Sequence, residues 1–556
     1  MSAFAIGLDY GSTTVRCLVV ELATGAEAGV GTYDYPSGVE GVIGDPADPH
    51  VARQNPADFI AGTEAAARAA LAQAASFAGF TPERVVGIGV DATGSTPLPV
   101  DAALQPLALQ PAFADRRAAM AWMWKDHSSI DEAERLTARA AELRPQYLAR
   151  CGGAYSSEWF FAKIWHCLQE DREVFDAAHS WVEFCDFIPA MLAGVTNCAD
   201  LRRNVCVAGH KGLYCDAWGG WPDADFLAAL DPALARLLPT FGGACQPIGE
   251  AAGTLCADWA ERLGLPVGIP ISMGALDAHM GAVGAGVGTG RMVKVIGTSS
   301  CDLLVAPPDL TLSELPGVCG IVVGSVLPGV LAVEAGQGAV GDILNWYVKD
   351  QCQGDARHFA RLTDQAAALA PGQSGLLALD WHNGNRNILA DGRLTGLILG
   401  YTLHSSQAEV FRALIEATAF GARRILDRIE EYGVPVQEIV ACGGIAEKNA
   451  MFMQIYADVL RRPMRLSGVV ETCALGSAIA GAVVGGAYPT VEAGQATLCR
   501  YKDLVYTPNP AASAVYDSLY ALYMQLHDSF GRPGAVDHHD LMKSLLRLQR
   551  QAAGSH

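Results

Sequence analysis

The sequence predicts an α/β protein of two lobes that are built alike. The chain has 556 residues, 51% hydrophobic and 18% charged, and this length exceeds what one hydrophobic core usually serves. Short β-rich runs that end in Gly, Ser, Thr or Asp alternate with alanine-rich helical stretches, a pattern typical of layered α/β folds. Two of these runs resemble each other, AIGLDYGSTTVRCLVV at 5–20 and VKVIGTSSCDLLV at 293–305. Each predicts a strand, a small polar turn and a second strand, so we expect an internal duplication.

Three further predicted strands end in polar or glycine-rich turns, at 85–95, 270–279 and 439–449. Ligands of open α/β sheets collect at the carboxyl ends of strands, so the chemistry is expected at these turns. The main predicted helices are 56–75, 408–432, 449–460 and a C-terminal helix at 511–530, and Gly433 is the expected residue after the second of them. The glycine-rich loop 284–288 follows a helix and is expected to connect the lobes, which we place at 1–287 and 288–556.

The charge balance argues against a nucleic-acid partner. There are 39 Lys and Arg residues against 59 Asp and Glu, a formal charge of −20, which repels phosphate backbones and anionic membranes at long range. The N-terminus lacks the basic segment and apolar run of a signal peptide, and no apolar stretch reaches the ~20 residues that span a bilayer. The 15 cysteines have no paired CxxC spacing, so we expect reduced thiols in a cytoplasmic protein.

Asp9 and the turn after it form the first candidate site. A buried strand delivers the carboxylate beside Gly11, Ser12 and Thr13, whose N–H and hydroxyl groups can face an anion. Asp9 can hold Mg²⁺ while the turn holds phosphate. The turn Gly297-Thr298-Ser299 has the same composition. Either turn alone is more often an ordinary hairpin, but the matched pair predicts a triphosphate held between two lobes.

Two adjacent glycines mark a further site. Neither GxxxxGK[ST] nor a convincing GxGxxG stands at a strand end, which argues against a P-loop and a Rossmann site. Gly443 and Gly444 instead lie between a predicted strand and a predicted helix, with Asn449 shortly after. Such a pair permits close approach of the backbone to a flat or anionic ligand. A plain strand-to-helix turn is an equally good interpretation.

Asp277 directly follows the predicted strand 271–274 and begins a helix. A carboxylate there can accept a hydroxyl proton as the oxygen attacks a γ-phosphorus, although a helix N-cap is the commoner local explanation. Lysines, carboxylates and aromatic faces also recognise sugars, and Trp124, Lys211 and Glu334 lie in polar islands that offer such groups. On local grounds Lys211 is more often a solvated surface charge and Trp124 more often a core side chain.

Together and in this order, these motifs resemble the FGGY family of carbohydrate kinases, and within it the members that act on L-ribulose. The resemblance covers nearly the whole chain. It is carried by GIGVDATGSTPLPVD at 87–101, WKDH at 124–127, GGAYSSEWFFAKIW at 152–165, AGHK at 208–211, KVIGTSSCDLL at 294–304 and EAGQGAVGDI at 334–343. It implies a duplicated actin-like, ribonuclease H-like ATPase fold whose lobes close over ATP, Mg²⁺ and a sugar.

The resemblance also implies roles for single residues. Asp277 matches the catalytic base of the family and Asp9 lies near the metal. The residues implied around ATP are Gly11, Ser12, Thr13, Gly297, Thr298, Ser299, Gly443, Gly444 and Asn449. The residues implied around the sugar are Gly94, Trp124, Lys211, Asp277 and Glu334.

The predicted activity is ATP-dependent phosphorylation of L-ribulose to L-ribulose 5-phosphate, a step of L-arabinose catabolism, and the family resemblance suggests a homodimer. A related kinase for D-ribulose, xylulose or glycerol shares the phosphate turns and is one alternative. A non-catalytic actin-like ATPase or sugar-responsive regulator is another. Two features depart from the family pattern. The C-terminal signature of the family is divided here between residues 392–397 and 409–416, and the gap between these two parts is longer than in most members. In addition, position 94 is glycine, where some members carry alanine. A smaller side chain at position 94 would loosen discrimination among 2-ketopentoses.

Overall fold

The computed structural model describes residues 2–534 together with 538 and 539. The strands of the first half are β1 Phe4–Tyr10, β2 Thr14–Glu21, β3 Glu27–Asp34, β4 Ile43–Asp45, β5 Asp48–Gln54, β6 Val85–Ala92, β7 Pro97–Val100, β8 Ala121–Trp122, β9 Ser180–Glu183, β10 Ala251–Thr254, β11 Pro270–Ser272 and β12 Ala275–Leu276. Its helices are α1 Pro56–Ala74, α2 Ile130–Leu143, α3 Pro145–Ala149, α4 Phe160–Glu170, α5 Arg172–Ala177, α6 Phe184–Leu192, α7 Val205–Lys211, α8 Ala224–Leu230, α9 Pro232–Ala235, α10 Ala257–Leu263 and α11 Asp277–Gly284.

The strands of the second half are β13 Gly290–Ile296, β14 Ser300–Val305, β15 Gly320–Val323, β16 Leu331–Ala335, β17 Leu377–Leu379, β18 Leu397–Leu399, β19 Val436–Cys442, β20 Met464–Ser467 and β21 Tyr501–Tyr506. Its helices are α12 Gly341–Trp346, α13 Ala356–Ala367, α14 Gln407–Glu431, α15 Gly444–Lys448, α16 Ala450–Leu460, α17 Thr472–Val484, α18 Val491–Leu498 and α19 Pro510–Gly531. None of the described helices is both long enough and apolar enough to cross a membrane.

Two seven-stranded mixed sheets follow the same plan. The first has the order β10-β11-β6-β1-β2-β3, with β12 also paired to β6, and the second has the order β15-β16-β14-β13-β19-β20-β21. In each sheet a central strand forms an antiparallel hairpin, β1 with β2 and β13 with β14. The same central strand pairs in parallel with a later one, β1 with β6 and β13 with β19. The predicted duplication is confirmed.

Helix α17 comes from the second half of the chain but packs on the first sheet. A Cβ added at Gly7, Gly87 or Gly89 would lie within 1.8 Å of a carbonyl oxygen of this helix, so only glycine lets it rest directly on β1 and β6. Helix α11 crosses α17 in the same way, since a Cβ at Gly284 would lie 2.0 Å from the carbonyl oxygen of Thr472. These contacts hold α17 against β1 and β6 and against the end of α11.

The three largest hydrophobic cores among the described residues support this arrangement. One lies around the first sheet, α11 and α17. A second fills the other lobe around α14 and α16. A third, centred on the buried Trp122, Trp165 and Trp181, belongs to the helical region between residues 107 and 241. The sequence predicted two lobes but not this separate helical core.

The predicted helices agree with the observed ones to within one or two residues. Helix α14 begins with a capping box between Ser406 and Glu409, and Gly433 has a φ of +86° as a residue after a helix end requires. The predicted strand 271–274 is wrong in its bounds, because Met273 leaves the parallel ladder to donate its N–H to the carbonyl of Glu250 at 2.8 Å. The strand is therefore divided into β11 and β12. The predicted charged tail after the last helix lies largely outside the described residues.

Candidate active site

Three carboxylates meet at the ends of neighbouring strands in the first sheet. Asp9 of β1 pairs with Asp91 of β6, and Asp91 pairs in turn with Ala275 of β12. Asp277 follows β12 directly and is the first residue of α11. Residues opposite one another in a ladder project to the same face of a sheet, so strand pairing brings together groups that are far apart in the chain.

Asp91 is the member of this group that sequence reasoning missed. Burial and the neighbouring Asp9 carboxylate raise the pKa of Asp91 well above its usual range. Ser477 donates its hydroxyl to Asp91 Oδ2 at 2.5 Å, while Oδ1 accepts no hydrogen bond within the described part of the chain. Burial and the neighbouring negative charge therefore favour the protonated form of Asp91 over that of Asp9. The repeated Gly-x-Asp pattern at 7–9 and 89–91 could have identified the pair.

Asp9 is the carboxylate that stays available for a cation. Burial raises its pKa, but the hydrogen bond from Asp91 and the charge of Arg16 both oppose that effect. Arg16 Nη1 lies 3.6 Å from Asp9 Oδ2 on a side chain that is 44% exposed, so this pairing is weak enough to exchange for a stronger cation. Of the two neighbouring carboxyl groups, Asp9 therefore carries the negative charge more readily than Asp91.

The geometry at Asp277 differs from that of a helix cap. The N-cap position belongs to Leu276, and Asp277 Oδ1 accepts the N–H of the adjacent Ala278 at 2.7 Å. The N-cap interpretation is therefore wrong. Burial raises the pKa of Asp277 to about 7, with the charge of Asp9 adding to the rise. A carboxylate with this pKa accepts and releases a proton readily at neutral pH.

Lys211 and Glu334 form a buried ion pair between the two halves of the chain. Lys211 Nζ donates to Oε1 and Oε2 of Glu334 at 2.9 and 3.1 Å, from the end of α7 to β16. Burial alone would raise the pKa of Glu334, but the ammonium of Lys211 holds it well below its usual range. Lys211 is only 8% exposed, so the interpretation of a solvated surface charge is wrong.

Trp124 lies beside the Asp9 turn, and Gly94 lies beside the residue that precedes Asp277. Trp124 Nε1 donates to the hydroxyl of Ser12 at 2.9 Å, which joins an expected sugar residue to an expected phosphate turn. Gly94 faces Leu276, the residue before Asp277, and a Cβ added at Gly94 would lie 4.0 Å from its Cδ2 atom. Trp124 thus contacts the Asp9 turn, and Gly94 lies beside the residue that precedes Asp277.

A buried lysine supports the residues on this side of the cleft. Lys163 Nζ donates to the carbonyls of Ser95 and Met123 at 2.6 and 2.8 Å, next to Gly94 and Trp124 respectively. Burial lowers the pKa of Lys163 to about 7 and raises the pKa of Glu183, which accepts the Ser95 hydroxyl, to about 7. The sequence analysis missed this network. Its only signal was a lysine inside the apolar run FFAKIW.

Each predicted phosphate turn is closed by the backbone N–H of its first glycine. Gly11 donates its N–H to the carbonyl of Thr14 at 2.8 Å, and Gly297 donates to the carbonyl of Ser299 at 2.9 Å. A Cβ added at Gly297 would meet nothing within 4 Å, so open space adjoins the second turn. Each turn follows the central strand of its sheet, and this common position is what a ligand held between two lobes requires.

The candidate nucleotide site of the second lobe consists of the turn at Gly443 and Gly444 and of the nearby Asn449. Gly443 has a φ of +106°, and a Cβ there would lie 2.2 Å from the carbonyl oxygen of Ile296, so the position requires glycine. A Cβ on Gly444 would meet nothing within 4 Å. Asn449 caps α16 through Oδ1, while its Nδ2 is buried and has no hydrogen-bond partner among the described residues. An unpaired donor beside a backbone cradle fits a nucleotide.

We expect Gly443→Ala to raise the KM for ATP about tenfold or more, because the strained backbone shifts the cradle. The matched control is Gly219→Ala in the first half of the chain, at a φ of +87° where a Cβ meets nothing within 4 Å. Both variants should lose about 1 to 3 kcal/mol of unfolding free energy from strain. Equal KM values for ATP in the two variants would contradict the assignment of Gly443 to the nucleotide site.

Comparisons with known proteins match both lobes. The N-terminal domain of the FGGY family of carbohydrate kinases matches residues 4–284, and the C-terminal domain of that family matches residues 292–484. The ribulokinase of Shouchella clausii is 39% identical over 573 residues, covering 100% of this chain and 99% of that protein. The ribulokinase of Vibrio parahaemolyticus is 40% identical over 541 residues, covering 94% and 95%.

Solved structures with the same architecture include two sugar or polyol kinases. The xylulose kinase of Rhodospirillum rubrum superposes with a TM-score of 0.77 at 26% identity, covering 94% of this chain and 98% of that one. Plasmodium falciparum glycerol kinase with ADP superposes with a TM-score of 0.76 at 15% identity, covering 94% and 98%, a likeness of fold alone. The matched domains contain every candidate site residue named above.

Proposed function

We propose that this chain, which belongs to the FGGY family of carbohydrate kinases, transfers the γ-phosphoryl group of ATP to L-ribulose and forms L-ribulose 5-phosphate. Membership of the family makes the protein an ATP-dependent sugar kinase with an actin-like ATPase fold. The observation that carries the choice of substrate is the buried pair of Lys211 and Glu334, which lies near Asp277 and offers both a cation and an anion to sugar hydroxyls.

In the proposed reaction Asp277 is the general base. Its carboxylate accepts the proton of the terminal sugar hydroxyl while that oxygen bonds to the γ-phosphorus and the bond to the ADP oxygen breaks. Phosphoryl transfer depends mostly on positioning and charge stabilisation, so a carboxylate with a pKa of about 7 is a sufficient base at neutral pH. Trp124, Lys211 and Glu334 orient the sugar and hold its reactive hydroxyl towards Asp277.

The nucleotide residues come from both lobes. The turns at 11–13 and 297–299 donate backbone N–H groups to phosphate oxygens, and Gly443, Gly444 and Asn449 hold the adenosine. Asp9, the anionic member of its pair with Asp91, would hold Mg²⁺. When bound, the metal neutralises charge that develops on the phosphate oxygens. The open space at Gly297 and Gly444 and the unpaired Nδ2 of Asn449 support this assignment.

The relatives support L-ribulose over its siblings. Eight relatives named ribulokinase match nearly the whole chain at 32% to 40% identity, whereas the xylulose kinase structure is 26% identical. A non-catalytic ATPase or regulator would not explain why Asp277, with a pKa of about 7, lies near the ion pair of Lys211 and Glu334. We place the enzyme in the cytoplasm, in L-arabinose catabolism, as a homodimer with lobes 1–287 and 288–556.

A coupled ADP-release assay tests the proposal. Purified protein with ATP and Mg²⁺ is given L-ribulose, D-ribulose, D-xylulose, L-xylulose or glycerol in turn. We expect turnover that depends on sugar, with the highest kcat/KM for L-ribulose. A higher kcat/KM for xylulose or glycerol would assign the chain to a sibling kinase. ADP release that no sugar stimulates would favour the regulator.

The room at Gly94 gives a prediction about selectivity. We expect Gly94→Ala to fold normally, because the added Cβ has its nearest neighbour at 4.0 Å. The extra methyl should fill space beside the sugar and change the ratio of kcat/KM for L-ribulose to that for other 2-ketopentoses by about tenfold, in favour of L-ribulose. Gly243→Ala is the control, since a Cβ there also meets nothing within 4 Å. An unchanged ratio would remove Gly94 from the sugar site.

A further inference from the structure

Two buried histidines beside the ion pair have no role in the reaction described so far. His210 precedes Lys211 on α7, and His279 lies in the first turn of α11, two residues after Asp277. They are 2% and 1% exposed, and their rings lie 4.7 Å apart. Nδ1 of His210 is 3.2 Å and Nε2 of His279 is 3.6 Å from Glu334 Oε2. Both imidazoles therefore border the carboxylate that is expected to meet the sugar.

His210 is held by its protein surroundings. Its Nε2 lies 3.0 Å from the hydroxyl of Ser325, and its Nδ1 faces Glu334. Gly320 makes room for the ring, since a Cβ there would lie 2.1 Å from Nδ1. Ser325 thus holds one side of the ring, whereas Nδ1 lies near Glu334 without a hydrogen bond among the described residues.

His279 lacks such partners. Neither Nδ1 nor Nε2 makes a hydrogen bond within the part of the chain that the structure describes, although the ring is almost fully buried. A buried polar atom that stays unpaired costs about 1 to 3 kcal/mol, and His279 has two. Burial lowers the pKa of His279 to about 4, with the nearby ammonium of Lys211 opposing the attraction of Glu334. The ring is therefore neutral and carries one donor and one acceptor.

A hydroxyl group is the natural partner for such a ring, because it also donates and accepts one hydrogen bond at a time. A metal ion is the competing candidate, since ligand atoms of His210, His279 and Glu334 lie within 4.8 Å of one another. However, the ammonium of Lys211 already contacts both oxygens of Glu334 at 2.9 and 3.1 Å. That cation occupies the carboxylate a metal would need, which leaves a neutral ligand as the better fit.

We propose that His279 recognises a non-terminal hydroxyl of the sugar and thereby contributes to the choice among 2-ketopentoses. The inference rests on the proposed function, in which Asp277 meets the terminal hydroxyl and the ion pair meets the sugar beyond it. His279 borders the ion pair, because its Nε2 lies 3.6 Å from Glu334 Oε2. Its neutral imidazole reads the orientation of one hydroxyl, since an epimer would place that group away from the ring and leave the nitrogen that it pairs with unsatisfied.

The test compares His279→Leu, which removes the polar nitrogens, with His279→Gln, which keeps a donor and an acceptor. We expect His279→Leu to raise the sugar KM about 10- to 100-fold, with kcat and the KM for ATP within about threefold of wild type. His279→Gln should recover at least part of the affinity and change the preference among the four ketopentoses. His527→Leu is the control, because His527 is also buried with an unpaired Nε2 but lies on α19, and it should leave all three constants unchanged.

Each outcome decides between the inference and the proposed function. A sugar KM for His279→Leu within threefold of wild type overturns the role of His279. If His279→Leu does not fold, as judged by circular dichroism, an unchanged order and ratio of the four sugars in His279→Gln overturns it instead. Tight inhibition of wild type by Zn²⁺ that both variants lose would also overturn it, in favour of a metal site. If wild-type protein prefers another sugar, L-ribulose is refuted as the substrate. The role of His279 is then tested by comparing the variants on the preferred sugar.

Discussion

The Asp277→Asn variant is expected to bind ATP and sugar almost as wild type does while its kcat falls by about 10²- to 10⁴-fold, the range that general base catalysis supplies. The amide has the shape of the carboxylate but cannot accept the hydroxyl proton. Substrate affinity can be measured by calorimetry with sugar and a non-hydrolysable nucleotide, and turnover by ADP release. Loss of kcat with both affinities retained separates a base from a binding residue.

The same variant should also change stability in a definite direction. The pKa of Asp277 is raised from its ordinary value of 3.8 to about 7, so the folded protein binds a proton that the unfolded chain has already released. Its contribution to stability is fully present below about pH 4 and is lost as pH rises to about 7. At pH 8 Asp277→Asn should therefore unfold at a temperature equal to or higher than that of wild type.

Asp131→Asn provides the matched control, because Asp131 is exposed in the first turn of α2, remote from the cleft. It should keep wild-type kcat. An Asp277→Asn variant with kcat within threefold of wild type would refute the assignment of the base. A variant that unfolds well below wild type at pH 8 would refute the electrostatic description of this carboxylate.

The second large effect is expected for Lys211→Met. The variant leaves Glu334 buried without the ammonium that binds both its oxygens, which should cost about 3 to 5 kcal/mol of unfolding free energy. The sugar KM should rise about 10- to 100-fold, because a charged hydrogen-bond donor to the sugar is lost. Chemical denaturation and the ADP-release assay measure the two effects on the same sample.

A second substitution separates stability from sugar binding. In Lys211→Met with Glu334→Leu the uncompensated charge is gone, so most of the lost unfolding free energy should return, while the sugar KM stays high. Lys349→Met, at an exposed lysine, should change neither quantity. If the double variant also recovered sugar affinity, the pair would be a structural element that does not contact the substrate.

Much of this fold was predictable because its signals are local. The two strand-turn-strand runs at 5–20 and 293–305 became the central hairpins of two matched sheets. Helix ends were predictable where the chain supplies a capping residue, as at Ser406. The separate helical core between residues 107 and 241 was not predicted, since its aromatic residues have no period that distinguishes one core from another.

The site was harder to predict because pairing across the sheets creates it. Asp91 joins the site only because it pairs with Asp9 across the strands. Lys163 supports the site through the carbonyls of Ser95 and Met123, which are 68 and 40 positions earlier in the chain. Lys211 looked like a surface charge until β16 brought Glu334 within 2.9 Å. His279 was visible as a neighbour of Asp277, but its lack of partners is a property of the folded chain alone.

The measurement that tests the central claim most directly is the identification of the product. Wild-type protein is incubated with L-ribulose, ATP and Mg²⁺, and the products are analysed by ³¹P and ¹³C NMR. The account predicts one ADP for each sugar phosphate and a phosphorus that couples to C5 of ribulose. Inorganic phosphate with unmodified sugar, or a phosphate on another carbon, would contradict it.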